Sequence, residues 1–250
     1  MRGLYINLDR KPERRRRMEA EFRRFKLSQF YERVSAIDGQ KIVGDRGPAI
    51  GCFRSHLKAL ELARATGGSV HLIEDDRILS ARLKPFLASL ECARLLSEFD
   101  LVFLEMWVDE PVVRRYQEAL ARAGTGLHAL NLRGLRVGST GSYVVSERSA
   151  DRVASLLAAE VERGARVPVD NFYSQMVATG MLRAAVVVPF LTCTDIVTGS
   201  ASSIQLLTQD QMAAHVKLRT AFFVERGRQP FFKLQPLSPE PAMIGADDPE

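Results

Sequence analysis

The sequence predicts an α/β protein with a mostly parallel central sheet and helices on both faces. Short apolar runs alternate with amphipathic segments as far as residue 104, a pattern typical of strands and helices that cover a parallel sheet. The chain has 250 residues, of which 46% are hydrophobic, and this is enough to bury a substantial core. The composition excludes a disordered chain, a collagen-like repeat and a disulfide scaffold.

The first strand and the first helix are marked by separate signals. Residues 3–8 form a short apolar run, which predicts a buried strand that ends before the charged residues that follow. Pro12 suits the first turn of a helix. Met18, Phe22 and Phe25 recur at helical spacing, so this helix is expected to have one apolar face.

The next elements continue the alternation. Residues 30–37 predict a second strand, and the dipeptide Asp38-Gly39 predicts a turn after it. Gly47-Pro48 opens a predicted helix that runs to about residue 66. Residues 70–73 are a short apolar strand, and residues 83–96 have the pattern of one amphipathic helix.

The second half of the chain is patterned less clearly, above all over residues 107–138. Its predicted elements are a strand at 101–104, helices at 112–123, 147–161 and 170–179, strands at 143–145 and 184–188, and a final helix at 209–224. Residues 192–205 are rich in Ser and Thr and predict a loop. Residues 1–205 are therefore expected to form one domain, and residues 206–250 a C-terminal helix and a mobile tail.

The cysteines and the N-terminus favour a cytoplasmic protein. Cys52, Cys92 and Cys193 are odd in number and have no CxxC spacing, which is typical of reduced thiols. The first apolar run is too short for a signal peptide, and no apolar run is long enough to span a membrane.

The net charge of +5 comes from one segment. Nine basic and three acidic residues between Arg10 and Lys26 give that segment +6, so the rest of the chain sums to −1. This segment could contact an anionic membrane surface or lie in solvent. No nucleic-acid partner is expected, since no recognised binding motif is present and aromatic residues are not interleaved with the arginines.

Three consecutive acids, Glu74, Asp75 and Asp76, directly follow an apolar strand. Ligands of open α/β sheets bind at the carboxyl ends of the strands, and adjacent carboxylates repel each other unless a cation or hydrogen-bond donors neutralise them. Glu74 and Asp76 would point the same way if the chain stays extended. The pair could hold a hard divalent ion, and the alternative is a solvated acidic turn.

Further candidate site residues lie within or next to the predicted helices and strands. Ser55 and His56 lie in the first half of a helix, where they could donate to an anionic ligand; a half-buried structural histidine is the alternative for His56. The small residues before Ser142 and Tyr143 would let the backbone approach a substrate, or form a plain turn. Asp170 begins a predicted helix and is either its N-cap or a catalytic base.

These motifs, taken in order, resemble glycosyltransferase family 25, which includes lipopolysaccharide galactosyltransferases and the collagen galactosyltransferase domain. The resemblance covers about residues 3–190. It is carried by Tyr5-Ile-Asn-Leu-Asp-Arg10, Ala36-Ile-Asp-Gly39, Gly51-Cys-Phe-Arg-Ser-His56, Leu72-Ile-Glu-Asp-Asp76, Gly141-Ser-Tyr143 and Pro168-Val-Asp170. The chain departs from the family in Phe53 and Arg54, where small residues are usual, and this departure is expected to bring bulk and charge near the donor site.

The resemblance implies a GT-A-type fold and metal-dependent, inverting transfer of galactose or glucose from a UDP-sugar to a saccharide hydroxyl of a lipopolysaccharide or other surface glycan. It implies Mn²⁺ or Mg²⁺ held by Asp76 and Glu74, and it places Asp170 on the acceptor side. An inverting displacement needs one base, for which Asp170 is the first candidate and Asp195, in a polar loop after the last predicted strand, the second. The donor-binding residues it implies are Asn7, Arg10, Asp38, Gly39, Ser55, His56, Glu74, Asp75, Ser142 and Tyr143. The acceptor could be lipid-linked, which would place the enzyme at the inner membrane face.

Two other functions are also compatible with the sequence. One is a catalytically idle protein of the same fold that only binds its ligand. The other, which the sequence favours less because it contains no recognised binding motif, is a nucleic-acid-binding protein that uses the basic segment 10–26.

Overall fold

The computed structural model describes residues 1–42, 44, 46–108, 112–194 and 222–223. The strands within these ranges are β1 (Arg2–Asn7), β2 (Tyr31–Ser35), β3 (Val70–Glu74), β4 (Arg77–Leu79), β5 (Leu101–Phe103), β6 (His128–Asn131), β7 (Ser142–Val145), β8 (Ala184–Val188) and β9 (Thr192–Thr194). The α-helices are α1 (Pro12–Arg24), α2 (Gly47–Arg64), α3 (Leu83–Leu87), α4 (Leu90–Glu98), α5 (Val113–Ala123), α6 (Ala150–Glu162) and α7 (Val169–Ala178).

The central sheet has seven strands in the order β2-β1-β3-β7-β5-β8-β6. Strand β1 pairs in parallel with β2 and β3, and β5 pairs in parallel with β8. Only β7 and β6 run against the other strands of this sheet. The predicted mixed α/β fold with a mostly parallel sheet is therefore confirmed.

Helices cover both faces of the sheet because its strands are apolar on both sides. Leu4 and Leu72 point into a core shared with Phe53 of α2 and with residues of α6 and α7. The alternate residues Tyr5 and Ile73 point into a second core with residues of α1, α3 and α4. This alternation follows from the two-residue period of a strand.

The chain reverses its direction across the sheet between β1 and β3. From β1 it passes through α1 to β2 on one side, whereas β3 lies on the other side and leads towards the remaining strands. The connections on either side of this point diverge, which leaves a crevice at the carboxyl ends of β1 and β3.

Three predictions for individual elements are wrong. The single helix predicted for residues 83–96 is two helices, because the Ser89 side chain accepts a hydrogen bond from the backbone of Cys92 and caps α4. The weakly patterned segment contains the edge strand β6, which pairs with β8. Residues 192–194, predicted as loop, form β9, which pairs with β4 in a separate two-stranded ribbon.

Part of the C-terminal segment contacts the domain. The buried ring of Phe222 packs against Tyr116 and Phe190. The rest of the predicted helix 209–224 and of the tail lies outside the described residues. Among the helices that the structure describes, none combines the length and the apolar character needed to cross a lipid bilayer.

Candidate functional site

An open cleft lies at the carboxyl ends of β1, β2 and β3, where the topology leaves its crevice. Its walls come from the end of β1, the segment after β2 and the first half of α2. Arg14 of α1, together with Glu74 and Asp75, supplies charged groups to its lining. The cleft thus combines apolar residues at the strand ends with charged groups of both signs.

The acidic motif is held by hydrogen bonds and ion pairs from β1 and α1. Asn7 donates to Asp75 Oδ2 through its amide nitrogen at 2.6 Å. The guanidinium of Arg14 lies 3.3 Å from Asp75 Oδ1 and donates to Asp76 Oδ2 at 2.6 Å. The predicted neutralisation of the three carboxylates is therefore achieved in part by side chains of the protein itself.

Arg77 neutralises the motif from the other side. Its guanidinium lies 3.1 Å from Glu105 Oε1, 3.3 Å from Asp76 Oδ1 and 3.5 Å from Glu74 Oε2. The side chains of Arg77 and Glu105 are 6% and 0% exposed. A Cβ on Gly141 would overlap the guanidinium of Arg77, so the absence of a side chain there makes room for the cluster.

The surroundings shift the pKa values of these groups in different directions. Burial raises the pKa of Asp75 to about 6, against the opposing charge of Arg14. Burial also opposes ionisation of Glu74, but the hydrogen bond from His56 and the charge of Arg77 outweigh it and lower the pKa of Glu74. Burial would lower the pKa of Arg77, but the carboxylates around it raise that pKa instead.

A hard divalent cation between Glu74 and Asp76 does not fit this arrangement. The guanidinium of Arg77 contacts both carboxylates, and it therefore stands where a shared metal ion would have to lie. The second oxygen of Asp76 is already engaged by Arg14. We therefore derive no chemical step from Mn²⁺ or Mg²⁺ at these two residues.

His56 lies at the inner end of the cleft, on a face of α2 that is directed towards β3. Its Nδ1 is 2.9 Å from the hydroxyl of Tyr143, and its Nε2 is 3.3 Å from Glu74 Oε1. The imidazole is 1% exposed, as expected for a histidine held by partners on both ring nitrogens. The structure thus brings the predicted site residues His56, Tyr143 and Glu74 together.

Ser55 also lines the cleft, but its hydroxyl is engaged within the fold. It donates to the carbonyl of Gly51 at 2.6 Å and accepts from the backbone of Ile37 at 2.8 Å. The bond from Ile37 fastens α2 to the segment that follows β2, whereas the bond to Gly51 lies within α2.

Arg10, Asp38 and Gly39 form one edge of the cleft. Arg10 Nε lies 3.0 Å from Asp38 Oδ2, and the Arg10 side chain is 34% exposed. Gly39 lies so close to the start of α2 that a Cβ there would be 2.5 Å from the Cα of Pro48. The glycine allows the turn to pack against α2, while the arginine stays accessible to a ligand.

Ser142 and Tyr143, both predicted to bind the donor, lie on opposite faces of the sheet. Tyr143 packs on the face that carries His56, whereas Ser142 lies on the other face, where its hydroxyl is 2.8 Å from Nε2 of His71.

The expectation that Phe53 and Arg54 bring bulk and charge near the donor site is wrong. Phe53 is fully buried against Phe172, and Arg54 points to solvent.

Asp170 lies at the start of α7. The loop that contains Ser139 connects it to Glu105, which is paired with Arg77. Asp170 Oδ2 accepts from the backbone of Ser139 at 3.4 Å, and the Ser139 hydroxyl donates to Glu105 at 3.1 Å. Asp170 Oδ1 accepts from the backbone of Asn171, so both oxygens receive a backbone hydrogen bond. The other candidate base, Asp195, lies outside the described residues.

Sequence reasoning missed Arg77 and Glu105. A signal for each was present, since Arg77 directly follows the acidic motif and Glu105 directly follows the apolar run 101–104. Cys52, which was predicted only to be a reduced thiol, also lines the cleft beside Glu74 and His56.

No protein-family profile and no curated protein matches the chain. Among solved structures, the chain is similar to the galactosyltransferase LgtC in complex with donor and acceptor sugar analogues, with 10% identity, a TM-score of 0.44, and 90% and 97% of the two chains covered. It is also similar to A197 from STIV, with 8% identity, a TM-score of 0.37 and coverage of 74% and 81%. A further similarity is to the apo-form glycosyltransferase GlyE of Streptococcus pneumoniae TIGR4, with 9% identity, a TM-score of 0.40 and coverage of 73% and 44%.

Proposed function

We propose that the chain is a glycosyltransferase that moves a hexose, galactose or glucose, from a UDP-sugar to a saccharide hydroxyl with inversion. The observation that carries the proposal is the cleft at the carboxyl ends of β1 and β3, with Arg10 and Arg14 at its walls. Nucleotides bind in this crevice in open α/β sheets. The resemblance of six sequence motifs to glycosyltransferase family 25 supports the same function.

The charges of the cleft suit a diphosphate. Arg10 is partly exposed, and its guanidinium can turn from Asp38 to a phosphate oxygen. Arg14 lies deeper and is 14% exposed, between the cleft and the acidic motif. Cations placed before the reaction stabilise the negative charge that develops on a departing UDP. In this proposal Arg10, and beside it Arg14, bind the donor.

The base in this proposal is Asp170. An inverting transfer is a single displacement, so one carboxylate must take the proton of the acceptor hydroxyl while oxygen attacks the anomeric carbon and UDP leaves. Asp170 is half-buried and is held at the start of α7 by backbone hydrogen bonds to both of its carboxylate oxygens. The acceptor in the proposal is a lipopolysaccharide or another surface glycan.

The test is release of UDP from UDP-galactose and UDP-glucose in the presence of oligosaccharide acceptors. We expect turnover by the wild type, and a loss of at least about a hundredfold in turnover with unchanged UDP affinity in Asp170→Asn, since general base catalysis contributes that much. Glu162→Gln, on an exposed helix end, is the matched control. Full activity of Asp170→Asn would contradict the assignment of Asp170 as the base.

A binding protein of the same fold is the second candidate. The pairing of Asp75 and Asp76 with arginines favours it, because these carboxylates are already neutralised within the protein. UDP binding without turnover on any sugar donor would support this candidate over the enzyme.

A further inference from the structure

Cys52, His56 and Glu74 converge at the inner end of the cleft. One ligand atom of each, a thiol sulfur, a ring nitrogen and a carboxylate oxygen, lies within 4.8 Å of the other two. Cys52 and His56 are four residues apart on α2 and therefore share one face of the helix. Glu74 meets this face from the end of β3. The three groups come from two elements that the core holds rigidly in place.

We propose that Cys52, His56 and Glu74 form a transition-metal site of the zinc type, with a fourth position open to the cleft. The donor set contains sulfur, nitrogen and oxygen, which suits Zn²⁺ rather than Mg²⁺. A zinc site with three protein ligands and one open position has a water molecule or a ligand as its fourth partner. This site differs from the predicted Mn²⁺ or Mg²⁺ site because it uses Glu74 without Asp76.

Only a small movement of the side chains would bring the three ligand atoms to the distances found in a zinc site. With bonds of about 2.0–2.3 Å to zinc, tetrahedral ligands lie roughly 3.4–3.6 Å apart. His56 Nε2 and Glu74 Oε1 are already 3.3 Å apart. The side chains therefore have to move by about 1 Å to close the remaining separations, which is within the reach of rotations about the side chain of Cys52.

The surroundings of His56 support a ligand role. Its Nδ1 is held by the hydroxyl of Tyr143 at 2.9 Å, and that hydroxyl is 3.3 Å from the hydroxyl of Tyr173. A metal-bound histidine usually has such a partner on its other ring nitrogen, which sets the ring orientation. When both are deprotonated, the thiolate of Cys52 and the carboxylate of Glu74 are anionic ligands for a divalent cation. Arg77 touches the other oxygen of Glu74, whereas Oε1 faces Nε2 of His56.

The test uses Co²⁺ as a spectroscopic probe on the full chain in the absence of nucleotide. We expect a thiolate-to-cobalt charge-transfer band, visible bands of tetrahedral coordination, and displacement of both by Zn²⁺. The charge-transfer band should vanish in Cys52→Ala and persist in Cys92→Ala, the control, because Cys92 is buried in the core on the other face of the sheet. Absence of the band in the wild type, or its persistence in Cys52→Ala, would overturn the proposal.

Two further measurements cover the case in which Cys52→Ala does not fold. X-ray absorption of the zinc-loaded wild type should report a single sulfur ligand, and a shell with no sulfur would overturn the proposal. Tyr143→Phe should bind Zn²⁺ about 10–100-fold more weakly while it keeps the cobalt–sulfur band, since it removes only the partner of the ligand. Unchanged Zn²⁺ affinity in this variant would contradict the positioning role given to Tyr143. None of these outcomes depends on sugar transfer.

Discussion

Replacing Arg77 by Met should destabilise the protein far more than loss of an ordinary surface arginine. The substitution removes the cation from three carboxylates at 3.1–3.5 Å, one of them on the fully buried Glu105. Breaking a buried ion pair from one side costs about 3–5 kcal/mol, because the remaining charge is left without compensation. We expect the free energy of unfolding of Arg77→Met to fall by about that amount.

The control is Arg114→Met. Its partner Glu118 is 3.1 Å away on the same helix, but the two side chains are 87% and 52% exposed. Exposed pairs of this kind contribute about 0–1 kcal/mol. Both variants remove one positive charge, so they differ in burial and in the number of carboxylates that lose a partner.

The assay is urea unfolding, followed by the fluorescence of Trp107, the single tryptophan. A double-mutant cycle with Glu105→Gln tests the pairing itself. Removing both charges should cost less than the sum of the two single losses, by about 1 kcal/mol or more. Equal losses in Arg77→Met and Arg114→Met, or additive losses in the cycle, would refute the reasoning.

Three further predictions concern residues around the site. Burial lowers the pKa of His71 from 6.5 to about 3, so the fold favours its neutral form. The free energy of unfolding should therefore be at its full value above pH 6.5 and fall by about 2 kcal/mol at pH 5, because the unfolded chain takes up the proton first. Urea unfolding of His71→Gln at both pH values should show a smaller decrease. Gly141→Ala should lower the free energy of unfolding by about 1–3 kcal/mol by displacing the guanidinium of Arg77, and an unchanged midpoint in urea would contradict this. Ser55→Ala should lose about 1–3 kcal/mol in the same assay because the amide of Ile37 is left without its acceptor, and a loss of UDP binding with full stability would instead assign Ser55 to the donor.

The sequence was sufficient for the elements that bury continuous apolar runs. The strands at the centre of the sheet were predicted to within a few residues, because Val, Ile and Leu must be covered on both faces there. Strand β6 was missed since it lies at an edge, where Leu130 and Asn131 are only half-buried and the pattern is weak. The helix over residues 83–96 was predicted as one because its apolar face continues across the break at Ser89.

The candidate site was predictable where neighbours in sequence follow a strand, and unpredictable where contacts depend on the fold. Glu74 and Asp75 were placed in the cleft by the rule that ligands bind at strand ends. The position of Arg77 depends on Glu105, in the segment after β5, and on the space left by Gly141. These contacts join distant parts of the chain, so a local pattern can mark each residue but cannot predict their pairing.

The central claim is that the cleft between the ends of β1 and β3 binds a UDP-sugar. Titration calorimetry with UDP-galactose tests it most directly in the wild type, in Arg10→Gln at the cleft, and in Arg17→Gln on the exposed side of α1. The proposal predicts binding by the wild type, affinity weaker by roughly tenfold or more in Arg10→Gln through loss of a charge-assisted hydrogen bond, and no change in Arg17→Gln. Absence of binding by the wild type, or equal affinity in all three proteins, would contradict it.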